Sequence, residues 1–456
     1  MQLNKQMFRE YDIRGIWNED ITEEISYHIG RAIATKVTEF GKDKMLVGYD
    51  NRLSSPIIEK NLIKGLIEGG INVIRLGLVT TPMYYYAWDR LNIHAGVMIT
   101  ASHNPKEYNG FKISYNGIHN IFGKEVSSLY DVIISGTYSS GNGLVETADI
   151  KEDYIKMIHN HIDMGNNKLR VIYDCGNGTT SIVAPDIFKS TANIEYIPLF
   201  AESDGTFPNH HPDPAVEENL TILKEKVLEL KADCGIAFDG DGDRVGIVDN
   251  KGKFVPIDKY MILIWRDIYN KVEKKEGFFD VKCSNAVKDE LNRLGIKPVE
   301  TRTGNSYTKK ISVENNYPFG GEMSGHLYFR DKFIGNDDGI YAGLRLVEIL
   351  SKTNKTVEEL LLNIPIYYST DENKIPVEDS KKDIIVSRVE EYCKNKGYKY
   401  ITIDGVKVLY DDGFALVRKS NTTPNITTRY EAKTKERLEE ITNEYNSLLD
   451  KLKEEE

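Results

Sequence analysis

Three short apolar runs in the first half of the chain each end in an aspartate followed at once by a polar turn. They are residues 45–50 (MLVGYD), 169–174 (LRVIYD) and 234–239 (CGIAFD). Each reads as a buried strand whose carboxyl end carries polar residues into a loop. Helical stretches, such as 55–69 and 217–231, lie between strands. Strands alternating with helices imply mixed α/β domains with largely buried sheets. Ligands of open α/β sheets gather beyond the carboxyl ends of the strands, so the aspartate-bearing loops are where a site is to be sought.

At 456 residues the chain exceeds what one core serves, and three or four domains of roughly 100–150 residues are expected. Residues 135–143, rich in Gly, Ser, Thr and Asn, read as a connection after a first domain, and 250–253 as a polar turn. The charged stretch 370–380, with Pro376, leads towards a last domain. That domain is closed by a charged helix over 434–456 with Leu438, Ile441, Tyr445, Leu448 and Leu449 along one face. Net charge is −11, which gives no general attraction for nucleic acid or an anionic membrane, so an anionic substrate needs cations gathered locally in a cleft. Cys175, Cys234, Cys283 and Cys393 form no C-x-x-C pair, and no apolar run approaches the ~18 residues of a membrane helix. A cytoplasmic protein is expected.

The sharpest chemical signal is Asp239-Gly240-Asp241-Gly242-Asp243-Arg244. Glycines let the backbone curl so that three carboxylates converge, and three converging carboxylates repel unless a cation sits among them. Oxygen ligands select magnesium, calcium or manganese. An EF-hand is excluded, because its twelfth position is Asn250 and no helix leads in. A dinucleotide fingerprint is excluded by the missing third glycine. A second signal, Thr100-Ala101-Ser102-His103-Asn104-Pro105, follows the apolar run 95–99 and presents Ser102 as a nucleophile or phosphate carrier. Taken alone, a capped turn accounts for it equally well. Gly320-Gly321-Glu322-Met323-Ser324-Gly325-His326 suits a polyhydroxy ligand, with an ordinary polar turn as its rival. Residues 418–424 (RKSNTTP) suit a phosphate cradle or a helix N-cap, and the two are compatible.

In this order the four loops resemble the α-D-phosphohexomutases, and most closely bacterial phosphomannomutase/phosphoglucomutase. The resemblance extends to residues 8–15 (FREYDIRG), 108–112 (YNGFK), 207–214 (FPNHHPDP) and 279–283 (FDVKC), and so covers nearly the whole chain. It implies an α/β protein of four domains in a heart-shaped arrangement, three related mixed α/β domains and a C-terminal α+β domain. The domains are expected at 1–148 (phosphoserine), 149–252 (metal), 253–368 (sugar) and 369–456 (phosphate).

The implied activity is interconversion of hexose 1-phosphate and hexose 6-phosphate, of mannose or glucose, through a phosphoserine on Ser102 and a hexose 1,6-bisphosphate that also serves as activator. By resemblance, Asp239, Asp241 and Asp243 hold Mg²⁺ together with an oxygen of phosphorylated Ser102. Arg14, Lys112 and Arg244 surround the transfer, Lys112 being the better base because arginine hardly deprotonates. Arg418, Ser420, Asn421 and Thr422 take the phosphate that is not transferred, and Glu322 and Ser324 hold sugar hydroxyls. Tyr11, Lys282 and His326 are further contacts. Relatives usually carry histidine at Asn305; an amide bonds hydroxyl or phosphate there but shuttles no proton near neutrality. A His210–His211 zinc site is disfavoured by the flanking Pro208 and Pro212, which suggest a rigid loop. Hexose phosphates are the expected partners, with no nucleic acid and no membrane, and the family pattern is a monomer. The rivals are a phosphoglucosamine mutase, a phosphatase with Asp239 as nucleophile, and a non-catalytic sugar-phosphate binder.

Overall fold

The computed structural model describes residues 3–420 and 424–455. Among these residues the strands form four sheets. The first has the order Ile13–Ile16, Tyr108–Ser114, Gly96–Ile99, Lys44–Tyr49, Asn72–Leu78, Val145–Thr147. Its centre is parallel, with Lys44–Tyr49 flanked by Asn72–Leu78 and Gly96–Ile99, while Tyr108–Ser114 runs back antiparallel. The second sheet orders Phe254–Val255, Val245–Asp249, Cys234–Phe238, Leu169–Asp174 and Ile194–Leu199. The third orders Lys297–Thr301, Glu276–Asp280, Phe319–Gly321 and Leu327–Phe329. The fourth is antiparallel around Asn425–Ala432 and Gly413–Lys419, and carries its own core against the helices Asp379–Lys396 and Lys435–Glu455.

The apolar runs that end in Asp50, Asp174 and Asp239 are strands as expected, because continuous apolar sequence is buried on both faces of a sheet. The stretch 55–69 is the helix Ser55–Glu68, closed by Gly69. The stretch 217–231 is not one helix: a 3₁₀ turn, Glu217–Leu220, precedes Thr221–Leu230. The segment 135–143 does not leave the first unit directly. After Gly136 caps the helix Lys124–Ser135, the chain runs back along Gly69–Gly70, and Val145–Thr147 adds an edge strand beside Asn72–Leu78. The closing helix, Lys435–Glu455, buries Ile441, Tyr445, Leu449 and Leu452.

The first three units share one hydrophobic core, which runs from Leu46 and Trp88 through Ile236 and Trp265 to Val347. The helix Gly339–Lys352, from the third unit, lies against the second sheet so closely that a Cβ on Gly343 would meet Ile236 Cγ2 at 2.6 Å. The fourth unit touches the third through a small apolar cluster, Val281 with Phe414 and Leu416. The loops beyond the first two sheets meet where Gly240 packs on Ser102, and the first, third and fourth units meet at Thr303. Among the described residues no helix is long and apolar enough to cross a membrane. Gly343→Val should force apart the helix and the second sheet and cost about 1–3 kcal/mol, read as a lower urea midpoint of the three-unit body.

Candidate active site

Residues 239–244 form the loop between the antiparallel strands Cys234–Phe238 and Val245–Asp249. Asp239 folds this loop on itself, its Oδ1 accepting from the backbone N–H of Gly242 at 3.0 Å and of Arg244 at 3.1 Å. Gly240 lets the second unit press on the first, since a Cβ there would meet Ser102 O at 2.5 Å. At the start of the helix Thr81–Arg90, the Thr81 N–H donates to Asp241 O at 2.9 Å and its hydroxyl to Asp241 Oδ2 at 2.6 Å. Asp239, Asp241 and Asp243 have no exposed surface, and they bring carboxylate oxygens within 4.8 Å of one another. Burial, then the neighbouring Asp241 and Asp243, pushes Asp239 well above the usual carboxylate range. Burial and Asp241 also raise Asp243. Burial works against the Asp241 anion too, but Lys112 outweighs it and lowers that pKa.

Lys112 comes from the strand Tyr108–Ser114, and its Nζ bridges Asp241 Oδ2 at 2.7 Å and Asp243 Oδ2 at 2.5 Å. Burial favours the neutral amine, but the two carboxylates prevail and hold the pKa above that of a free lysine. In this arrangement Lys112 is a clamped cation rather than the free amine a base requires. Arg14, one strand away, donates to Asn104 Oδ1 at 2.6 Å and pairs with Asp12.

Ser102 sits just beyond the carboxyl end of Gly96–Ile99 with φ at +50°. Its N–H donates to Thr100 Oγ1 at 2.8 Å and its hydroxyl to Asp239 Oδ2 at 2.7 Å, while His103 Nδ1 lies 3.4 Å away. A non-glycine residue held in the left-handed region costs about 1–3 kcal/mol and persists only where neighbours enforce it. The enforcing neighbour is Arg52, which the sequence reading passed over. Its fully buried guanidinium donates to Ser102 O at 2.8 Å, Asn104 O at 2.7 Å, Pro105 O at 2.6 Å and Tyr108 O at 3.1 Å, while Asp50 pairs with its Nε at 3.1 Å. The signal for Arg52 was present in the recurring strand-end aspartate, because Asp50 is one of its three instances.

Arg244 reaches between the two sides of the cleft, donating from Nε to His326 Nε2 at 3.0 Å and lying 3.8 Å from Asp239 Oδ2. On the third unit, Glu322 accepts from the Thr308 hydroxyl, and its other oxygen lies 3.4 Å from Gly304 N and from Ser324 Oγ. Asn305 opens the helix Asn305–Glu314 and donates to Asp337, with His326 Nδ1 3.0 Å from its amide nitrogen. Tyr11 of the first unit donates to Thr303 O at 2.7 Å. Arg418 of the fourth unit donates to Thr303 Oγ1 at 2.7 Å and to Asp404 Oδ2 at 3.0 Å, and Lys282 lies 3.3 Å from Glu372. Three units thus meet at residues 303–305. Two cations suited to a phosphate are already held in place by carboxylates. Asp337, Asp404 and Glu372 stand outside every motif and carried no sequence signal. Ser420 closes the strand end through its N–H to Asn425 O at 2.9 Å; Asn421 and Thr422 lie outside the described residues. His210 Nε2 lies 3.1 Å from Asp174 Oδ2, which accepts from it, and among the described residues His210 belongs to no group of three potential metal ligands.

Family models for the four domains of phosphoglucomutase/phosphomannomutase match residues 5–137, 152–252, 256–367 and 372–447. The chain is 42% identical to the phosphomannomutase/phosphoglucomutase of Pseudomonas syringae over 98% of its length and 95% of that protein's. It is 36% identical to the phosphoglucomutase of Neisseria gonorrhoeae, covering 98% and 97%. A crystal structure of a phosphoglucomutase/phosphomannomutase family protein from Burkholderia thailandensis superposes with a TM-score of 0.91 at 34% identity, covering 99% and 98%. The chain belongs to the phosphoglucomutase/phosphomannomutase family.

The residues present fit a divalent cation. Asp241 Oδ1 and Asp243 Oδ1 are buried and have no hydrogen-bond partner, and the three carboxylates carry more negative charge than Lys112 alone offsets. Asp239, Asp241 and Asp243 would hold the ion, as all-oxygen ligands for a hard cation. Asp241→Asn should weaken Mg²⁺ or Mn²⁺ binding by about tenfold or more in calorimetric titration, one charged ligand being replaced by a neutral one.

Proposed function

We propose that this chain moves a phosphoryl group between the C1 and C6 oxygens of a hexose, with Ser102 as carrier and mannose and glucose phosphates both as substrates. The chain is a hexose phosphate mutase; the carrier and the choice of sugar are our reading. The observation that carries it is Ser102 itself, strained, held by four hydrogen bonds from one buried arginine to its loop, and hydrogen-bonded to the first of the three clustered aspartates. Magnesium is the proposed cation, and when bound it supplies charge neutralisation for the transferring group.

The chain's own groups perform the rest. Asp239 accepts the Ser102 hydroxyl proton's hydrogen bond and orients the oxygen that carries phosphate. Arg244 and Lys112 place cationic charge beside it, where negative charge is greatest during transfer. Glu322 and Ser324, 3.4 Å apart, are placed to hold sugar hydroxyls, with Asn305 and His326 along the same wall. Arg418, with Ser420, Asn421 and Thr422, takes the phosphate that stays, while Lys282 and Tyr11 flank it. Since the 1,6-bisphosphate must present either end to Ser102, that cradle reads phosphate geometry rather than the sugar, and energy from this remote contact positions the reacting oxygen. The bisphosphate is also the activator, because it rephosphorylates a serine that has lost its group. A cytoplasmic monomer, the family pattern, is part of the same proposal.

Ser102→Ala should lower turnover of glucose 1-phosphate and mannose 1-phosphate by at least a thousandfold, about 4 kcal/mol, in an assay with Mg²⁺ and catalytic bisphosphate. Intact-mass analysis should show one phosphoryl group on the wild type and none on the variant. Wild-type turnover in the variant would end the carrier assignment, and selectivity above about a thousandfold between the two sugars would end the dual-substrate reading. Arg418→Ala should weaken 1-phosphate and 6-phosphate alike by about 1.5–3 kcal/mol, and Arg418→Lys should recover only part, lacking the fork. Unchanged affinity for both would make Arg418 structural.

A further inference from the structure

Arg418, the cation assigned above to the untransferred phosphate, already meets an anion of the chain's own. Its Nε and Nη2 both point at one oxygen, Asp404 Oδ2, which lies 3.0 Å from each. Two parallel donors on one edge of a guanidinium are what a phosphate or a carboxylate meets in fork fashion. The same Oδ2 accepts from the Thr303 backbone N–H at 3.1 Å and from the Thr303 hydroxyl at 2.5 Å. That hydroxyl in turn accepts from Arg418 Nη2 at 2.7 Å. The placement is built into the fourth unit's sheet. Asp404 stands in the turn before the strand Val406–Tyr410, and the next residue, Gly405, has φ at +76°. A Cβ on Gly405 would meet Val417 O at 2.4 Å and Arg418 Cα at 2.6 Å, so glycine lets this turn lie directly on the strand that carries Arg418.

Both side chains are 9% exposed. A guanidinium so far from water is costly without an anion, and Asp404 meets that need in the substrate-free enzyme. A phosphate that takes the same edge must turn the carboxylate away or sit beside it, anion against anion. Either way part of the attraction of Arg418 for phosphate is offset, and the grip is weaker than that of an unshared guanidinium. Lys282 is arranged alike, its Nζ 3.3 Å from Glu372 Oε2. In a site that binds its ligand once, such competition is a plain loss. Here the cradle gives up one phosphate of the bisphosphate and receives the other in every turnover, so too firm a hold would stall the cycle. A carboxylate poised to retake the fork compensates Arg418 as phosphate leaves and so lowers the cost of release.

We propose that Asp404 is an internal competitor for the phosphate site: by sharing the fork of Arg418 it weakens the hold on the untransferred phosphate and lets the 1,6-bisphosphate come free to turn. Asp404 touches no substrate and acts through Arg418. The inference rests on the reading of Arg418 as the cradle, and Arg418→Ala is included below so that the two fail separately.

The test uses the full-length Ser102→Ala enzyme with Mg²⁺, so that binding is read without turnover. Asp404→Asn removes the charge and keeps an oxygen for the Thr303 N–H and hydroxyl. In calorimetric titration this variant should bind glucose 1-phosphate and glucose 6-phosphate each about fivefold tighter or more, and stopped-flow release of glucose 1,6-bisphosphate should slow by a similar factor. The sign is the discriminating readout, because a partner that merely orients Arg418 would loosen binding when altered. Unchanged or weaker affinity in folded Asp404→Asn overturns the proposal. In an Arg418→Ala background the same substitution should gain less than about twofold, since no fork is left to contest. A gain that persists there is a general effect of charge and also overturns it. If Arg418→Ala alone leaves affinity for both phosphates unchanged, the cradle reading falls and this inference with it. If it weakens both while Asp404→Asn tightens neither, the cradle stands and the competitor does not. Asp404→Ser, which keeps an uncharged acceptor, should tighten binding in the same direction and decides the matter should the Asn variant not fold.

Discussion

Three buried carboxylates on one short loop set the terms for this structure. Asp239, Asp241 and Asp243 have no exposed surface and lie within 4.8 Å of one another, so they repel strongly in a medium that screens little. What surrounds them is the compensation that a single unit could not supply. The second unit contributes backbone amides to Asp239, and the first contributes the Thr81 hydroxyl, the Ser102 hydroxyl and the Lys112 ammonium. Joining the first two units is therefore the same physical event as building the site. The apolar core shared by the first three units runs across that junction.

The strand-end aspartates show one local device put to different uses. Asp50 sits where an aspartate naturally sits after a buried strand, bonding the turn that follows, and there it grips Arg52 and the Ser55 hydroxyl. Asp174 does the equivalent for Gly176 N and for His210. Asp239 turns inward on Gly242 and Arg244 and keeps its other oxygen for Ser102. Asp280, in the third unit, takes the Lys282 N–H and the Cys283 thiol, and burial raises its pKa to about 6 despite Lys282. The loop geometry is shared, and the chemistry depends on what the neighbouring unit presents.

The far side of the cleft is built on a looser principle. The fourth unit has its own core and meets the third through a small apolar cluster and through polar contacts at Thr303. Lys407 adds to this seam, donating to Val281 O at 2.9 Å and pairing with Glu300. Asp404 and Glu372 occupy the cations that a phosphate would need, which keeps Arg418 and Lys282 oriented without leaving bare charge in a half-closed cleft.

The sequence by itself determined the α/β class, the strands that end in Asp50, Asp174 and Asp239, and the loop signals at Ser102, Asp239–Asp243, Glu322 and Arg418. Apolar runs, glycines and clustered polar types act locally, and local patterns survive in a linear reading. The motif set was also enough to place the family. The 3₁₀ break before Thr221 and the return of residues 136–147 to the first sheet were not legible, since both follow from packing rather than propensity. Nor were Asp404, Glu372, Asp337 and Lys309, each a charge in ordinary polar surroundings along the chain, while Arg52 was marked only by the strand-end Asp50 two residues before it. Their roles come from partners that lie on other elements: Arg52 with the Ser102 loop, Arg418 with Asp404, Lys309 with Tyr85 and Asp337. Burial decided the rest, because only the packed structure removes water from a charge and so makes a clamped cation of Lys112 and draws the Lys309 pKa down to about 7.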